Sequence, residues 1–177
     1  MLYNKITLKL SHPSLNFTKG RGTQRPHTII IHIAEGTFEG TTRWLRDPSA
    51  GVSAHYLIGR NGQTRSFVDE KNTAWHAGRA DKKPLWRLAP GDNINCNTIT
   101  IGIENEGYST SVWTKAQKEA NVKLIAEICK RWSINPDRDH IIGHYEISKT
   151  RRPNCPAVNK KILDEIVEMA RAKLYVS

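Results

Sequence analysis

The residues with the strongest metal-ligating chemistry in this chain are seven histidines and three cysteines. A hydrolytic zinc site needs about three protein ligands of nitrogen, sulfur or oxygen type and one open position for water. Three residues stand out by where they fall. His32 lies inside the apolar run TIIIHI, residues 28–33, where a polar ring needs a partner. His144 follows a short apolar run and stands behind Gly143, which leaves room beside it. Cys155 sits in the turn Pro153-Asn154-Cys155-Pro156, where a thiol has no helix or strand to pack into. Ligands from two strand ends and an adjoining loop can converge at one edge of a sheet. On residue types alone the question stays open, because a histidine in a strand is more often a satisfied core residue. Cys129 falls on the apolar face of a helical stretch and reads as a small core residue. Cys96 reads equally as a loop thiol or a packed one. His12, His27 and His140 flank elements and read as surface or structural residues.

The positioning elements follow from the apolar pattern. Residues 28–33 form a β-branched run expected of a buried strand. Residues 41–46 predict a short helix that stops before Pro48. Residues 52–59 predict a second strand, Asn61-Gly62 a hairpin turn, and residues 64–68 the returning strand. Residues 98–103 (TITIGI) predict another strand ending at Glu104. A helix is expected over 114–132, with Thr114 and Gln117 at capping-box spacing. Its apolar face carries Val122, Ile125, Ile128, Cys129 and Trp132. A short strand over 139–142 leads into Gly143-His144. A closing helix over 159–174 turns Ile162, Ile166, Val167 and Met169 inward and presents Lys160, Lys161, Arg171 and Lys173 outward. The polar segment 77–97 reads as a long loop, a feature that in compact domains is often functional. No repeat or linker interrupts the chain, so one domain of mixed α/β type is expected over 1–177.

The formal charge is +10, which implies an anionic partner or a solvated basic surface. No zinc-finger spacing, RNP-like motif or helix-turn-helix pattern is present, so nucleic acid is not the expected partner. No run of about 18 apolar residues is available to span a membrane. The stretch 1–10, with Lys5 and Lys9, lacks an uninterrupted apolar segment and a cleavage site. It is therefore expected to carry no secretory signal, which implies synthesis in a cytoplasm. Three cysteines without a CxxC pair argue against a disulfide framework.

Six motifs in order then connect these segments: IIIHIAEG (29–36), VSAHYLIGRNG (52–62), AWHAG (74–78), IGIENEG (101–107), IIGHYEIS (141–148) and NCP (154–156). With them, the chain resembles the peptidoglycan amidase superfamily that includes T7 lysozyme, the AmpD-type amidases and the peptidoglycan recognition proteins. The resemblance runs from about residue 28 to residue 158. It implies a central mixed β-sheet flanked by helices, with a zinc-bearing groove on one side. It implies one Zn2+ per chain, held by His32, His144 and Cys155, and hydrolysis of the N-acetylmuramoyl–L-alanine amide of bacterial peptidoglycan. Glu104 matches the acidic residue of the IGIE motif, where it would take a proton from the attacking water and deliver it to the leaving amine. Trp75 and His76 of AWHAG are expected to line the groove as substrate-binding residues. His55 is a weaker candidate for the same wall.

Two departures from the family pattern matter. The tyrosine that T7 lysozyme and the recognition proteins carry in the site falls here on Ala54. Tyr56, two positions later, is expected on the same side of the strand in an ordinary structural role. This places the chain nearer the AmpD-like and endolysin branch. The lysine or small polar residue that many members carry two positions before the third ligand is here Pro153. Of the nearby Arg151 and Arg152, Arg152 is the expected source of positive charge for the oxyanion. The resemblance leads first to a phage-type lytic enzyme, monomeric, acting on the bacterial cell wall and drawn to anionic envelope polymers by its basic closing helix. The alternatives are a cytoplasmic muropeptide-recycling amidase and a non-catalytic peptidoglycan-binding module. Cys155 argues against the last, since non-catalytic recognition proteins typically lose that ligand.

Overall fold

The computed structural model describes residues 10–90 and 95–176. The stretch 1–10, expected to carry no secretory signal, falls almost wholly outside these residues, as do positions 91–94 of the polar loop. The elements in chain order are β1 (Phe17–Thr18), β2 (Thr28–Ile31), α1 (Phe38–Arg46), β3 (Tyr56–Ile58), β4 (Thr64–Ser66), β5 (Thr73–Ala74), β6 (Thr100–Asn105), α2 (Lys115–Trp132), β7 (Ile141–Gly143), α3 (His144–Ile147) and α4 (Lys161–Val176). The main sheet has the order β4-β3-β6-β2-β7. β3 and β4 are antiparallel, and the other neighbours are parallel. β1 and β5 form a separate two-stranded ribbon. This is the mixed sheet flanked by helices that the motifs implied.

The alternation of side chains along a strand decides which residues face the site. Ile29 and Ile31 of β2 and Ile101 and Ile103 of β6 pack with Ile125 and Ile128 of α2 and Leu163 and Ile166 of α4. Ile30 and Ile142 point to the opposite face, against Trp86, Cys96 and Ile147. Each such fully buried side chain contributes about 1.5–3 kcal/mol relative to exposure. Continuing the period past β2 puts His32 on the second face. The same period puts Gly102 and Glu104 of β6 there, since they alternate with Ile101 and Ile103. The fold thus gives one sheet face to its main core and the other to the site.

Several sequence expectations need correction. His32 lies one residue beyond β2, yet its N–H still donates to Ile103 O at 2.8 Å, so the pairing with β6 continues through it. The predicted strand over 52–59 is regular only in β3. Helix α1 starts at Phe38, capped by Thr37, whose side chain accepts from Gly40 N at 3.2 Å. Thr114 caps α2 by accepting from Gln117 N at 3.1 Å. The reciprocal half of the box is not made: Gln117 is buried and its amide donates to Glu106 O at 2.9 Å. On α4, Leu163 and Ala170 are fully buried while Met169 is 39% exposed, because the buried stripe runs through Ile162, Leu163, Ile166, Val167 and Ala170 and leaves Met169 at its edge. Tyr56 does not share a side with Ala54. Tyr56 enters the core beneath α2 and α4, and Ala54 packs with Phe38, Leu57 and Phe67, since regular pleating begins only at Tyr56. Cys129 is a core residue as expected, and Cys96 proves to be a packed thiol.

Candidate metal centre

His32, His144 and Cys155 converge at the end of β2 and β7, their ligand atoms all within 4.8 Å of one another. The two ring atoms Nδ1 are 3.0 Å apart, and Cys155 Sγ is 4.0 Å from His32 Nδ1. Cys155 reaches this point because Gly143 carries no side chain: a Cβ there would lie 2.7 Å from Pro156 Cδ. The sulfur also accepts from Ile33 N at 3.4 Å. His144 Nε2 lies 3.2 Å from the carbonyl of Ala77, which can only accept, so Nε2 carries the proton and Nδ1 is a bare lone pair. Burial drives the His144 pKa down to about 4, aided by the charge of Arg152, and drives that of His32 well below the usual value. Both rings are therefore neutral near pH 7, the state a metal ligand requires. Burial and the neighbouring Glu104 push the Cys155 thiol up to about 12. Two neutral imidazoles and a buried cysteine sulfur within 4.8 Å of one another, with a bare lone pair on His144 Nδ1, are a nitrogen and sulfur donor set that suits Zn2+.

Glu104 stands beside this group, with Oε1 4.0 Å from His32 Nδ1. Its Oε2 is buried without a hydrogen-bond partner. Burial raises its pKa to about 7, and Arg152 opposes the shift. A carboxyl with that affinity for a proton is suited to take one up and give it back near neutrality.

An open cleft of about 400 Å³ lies over the group, walled by Trp75, His76, Glu104, Arg152 and Asn154 among others. Trp75 is 36% exposed and its Nε1 donates to Thr18 Oγ1 at 3.0 Å, which leaves part of the indole surface open to the cleft. His76 also borders the cleft, with Nδ1 3.0 Å from His32 Nε2 and Nε2 3.2 Å from Thr100 Oγ1. His55 is fully buried behind His76, accepting from Gly102 N, and takes no part in the wall.

The two arginines are distinguished by their surroundings. Arg151 is tied back by Asp81, by Ser148 Oγ and by the carbonyl of Arg79. Both border the cleft and lower the His144 pKa by their charge, but only Arg152 also acts on His32 and Glu104. Lys160, expected to face outward, instead donates to Pro153 O and Ala157 O and sits 4.2 Å from the Tyr145 ring centroid, so it braces the Cys155 loop.

Two supporting residues escaped the sequence reading. Asn97 Oδ1 accepts from the backbone N–H groups of His76, Ala77 and Gly78, shaping the AWHAG turn. Asn105 Nδ2 donates to the carbonyl of His32 at 3.2 Å and pairs with Asn121. A polar residue at the end of the apolar run 99–103 was the available signal for Asn105. Asn97 had none, since an asparagine in a loop is ordinary.

Residues 22–158 match the family model described as N-acetylmuramoyl-L-alanine amidase. The chain is 32% identical over 127 residues to N-acetylmuramoyl-L-alanine amidase A of Achromobacter lyticus, a match spanning 70% of this chain and 63% of that protein. It is 36% identical over 101 residues to the 1,6-anhydro-N-acetylmuramyl-L-alanine amidase AmpD of Haemophilus influenzae, spanning 57% of this chain and 50% of that one. The chain therefore covers less than two thirds of the length of both relatives. A crystal structure of a selenomethionine derivative of AmpD shares the fold, with a TM-score of 0.71 at 24% identity over 94% of this chain and 99% of that one.

Proposed function

The chain belongs to the N-acetylmuramoyl-L-alanine amidase family, and from this premise we propose that it is a zinc-dependent enzyme cutting the amide between muramic acid and the peptide stem of bacterial peptidoglycan. The observation that carries the reading is the convergence of His32, His144 and Cys155 beside the half-buried carboxyl of Glu104 at the floor of an open cleft. His32, His144 and Cys155 would hold the zinc, which when bound would supply a Lewis acid for the carbonyl and for activating water. Glu104 takes the proton of the attacking water and returns it to the leaving nitrogen. Arg152, on the cleft wall, stabilises the negative charge that develops on the carbonyl oxygen. Trp75 offers an apolar surface to the sugar or the stem.

Digestion of purified peptidoglycan with and without a chelator, followed by mass analysis, tests this reading. Chelator-sensitive release of intact stems from intact glycan is the expected result. New reducing sugar ends, or cleavage indifferent to the chelator, would overturn it.

The biological setting we propose is lytic: a catalytic domain of phage type acting on the assembled wall, its +10 charge favouring an anionic envelope. A second reading, a recycling amidase, is favoured by the similarity to AmpD, a protein named for a 1,6-anhydro-muramyl substrate. Comparing rates on insoluble sacculi and on soluble anhydro-muropeptides separates the two. A marked preference for the soluble fragments favours recycling.

A further inference from the structure

We propose that His76 is a positioning residue for the metal centre, holding His32 in the tautomer that leaves Nδ1 free to bind zinc. The inference rests on the zinc reading above and assigns a part of the site that the ligand set does not include.

The direction of each hydrogen bond fixes the tautomers. His32 must offer a lone pair at Nδ1, so its one ring proton must sit on Nε2. The atom facing that Nε2, at 3.0 Å, is Nδ1 of His76. His76 can accept there only if its own proton is on Nε2, which faces Thr100 Oγ1 at 3.2 Å. The Thr100 hydroxyl can accept that proton because its own hydrogen has another acceptor, the carbonyl of Cys96 at 2.8 Å. The chain His32 to His76 to Thr100 to Cys96 O is thus satisfied at every link in the direction zinc requires. His144 achieves the same result with one bond, through the Ala77 carbonyl. Partners of this kind orient a ligating ring and raise its basicity.

The fold makes space for the arrangement. The His76 ring lies against the backbone of β6 at Gly102, where an added Cβ would come within 2.4 Å of both Cγ and Nδ1. The ring meets His32 edge-on, with an interplanar angle of 88°. On the flank, Asn97 holds the backbone of 76–78. The glycine of the IGIE motif therefore serves the metal site from a distance, by seating the ring that orients His32.

The test measures zinc affinity by chelator competition, together with ¹⁵N NMR of the ring nitrogens in the zinc-loaded protein. His76→Ala is expected to bind zinc about 10–100-fold more weakly. His76→Asn, whose carboxamide can place an acceptor where Nδ1 was, should restore most of the affinity. His76→Gln, which extends past that position, should not. Gly102→Ala should lower affinity in the same sense as His76→Ala. The wild-type spectrum should show both His32 and His76 protonated at Nε2. Unchanged zinc affinity in His76→Ala, or a zinc-loaded His32 protonated at Nδ1, overturns the proposal while leaving the zinc reading standing. Equal losses in the Asn and Gln variants also overturn it, since a merely structural role would not distinguish them. A wild-type protein that binds no zinc overturns the zinc reading itself, and the positioning role with it.

Discussion

Nδ1 of His32 and Nδ1 of His144 lie 3.0 Å apart although 112 positions separate the residues in the chain. The parallel pairing of β2 and β7, with Ile31 opposite Gly143, brings them together. Cys155 joins them over a loop braced by Lys160 and closed against Gly143. The geometry makes the candidate metal centre a property of strand register, and its consequences can be measured.

Replacing His32, His144 or Cys155 with Ala is expected to abolish hydrolysis and reduce bound zinc from one equivalent per chain. Cys155→Asp should retain part of both, because a carboxylate is also a zinc ligand. Metal analysis alongside activity checks this. Full activity in metal-free protein would defeat the assignment.

Glu104→Gln should keep the fold and the zinc while losing about 10²-fold or more in turnover, since the amide preserves shape and removes the proton acceptor. Circular dichroism and metal content control for structure. A near-normal rate with zinc in place would move the proton transfer to another group.

Arg152→Ala should reduce kcat by about 10²-fold without loss of zinc, the usual size for one donor to a developing oxyanion. Lys149→Ala is the control. Arg151→Ala, which cuts the ties to Asp81, should lower thermal stability of the loop region more than it lowers kcat. A wild-type kcat for Arg152→Ala, or a larger kcat loss for Arg151→Ala, would refute the role given to Arg152.

Asp81 accepts from Thr150 N and Oγ1, and these bonds, the backbone one first, hold its pKa below the ordinary value of 3.8. A depressed carboxylate pKa contributes stability that is present above the unfolded value and is lost as pH falls through the folded one. The Tm difference between wild type and Asp81→Asn should therefore be constant above about pH 5 and shrink below 3.8. A difference that persists undiminished in acid would show that the amide disturbs the loop by shape and not by charge.

Binding to whole cell walls should weaken with salt, whereas cleavage of small soluble fragments should not. Exposed charges are screened over about 8 Å at physiological ionic strength, while the catalytic groups act at contact distance. Pull-down and cleavage across one salt series check this. Equal salt dependence would remove electrostatic docking. The closing helix is a modest contributor at most, since within Lys161–Val176 the acids Asp164, Glu165 and Glu168 balance Lys161, Arg171 and Lys173.

Much of this was legible along the chain because the information is local. A β-branched run marks β2, Asn61-Gly62 marks the hairpin, and Thr114 marks the start of α2; each depends on the conformational preferences of neighbouring residues. The motifs around His32, Glu104, His144 and Cys155 named the candidate ligands and the candidate base before any distance was known. What the residues do to one another was decided only by the tertiary structure. His76 reads as a groove residue in AWHAG, but the packing of its ring on Gly102 turns Nδ1 toward His32 and Nε2 toward Thr100. Along the chain, Arg152 is preferred to Arg151 only for standing nearer Cys155, and the tie of Arg151 to Asp81 is a difference that only the fold supplies. Tyr56 and Ala54 share a parity that promises one face, yet the strand becomes regular only between them. Hydrogen-bond direction, burial and facing depend on register between segments far apart in sequence, and the spacing of residue types within one segment carries no record of that register.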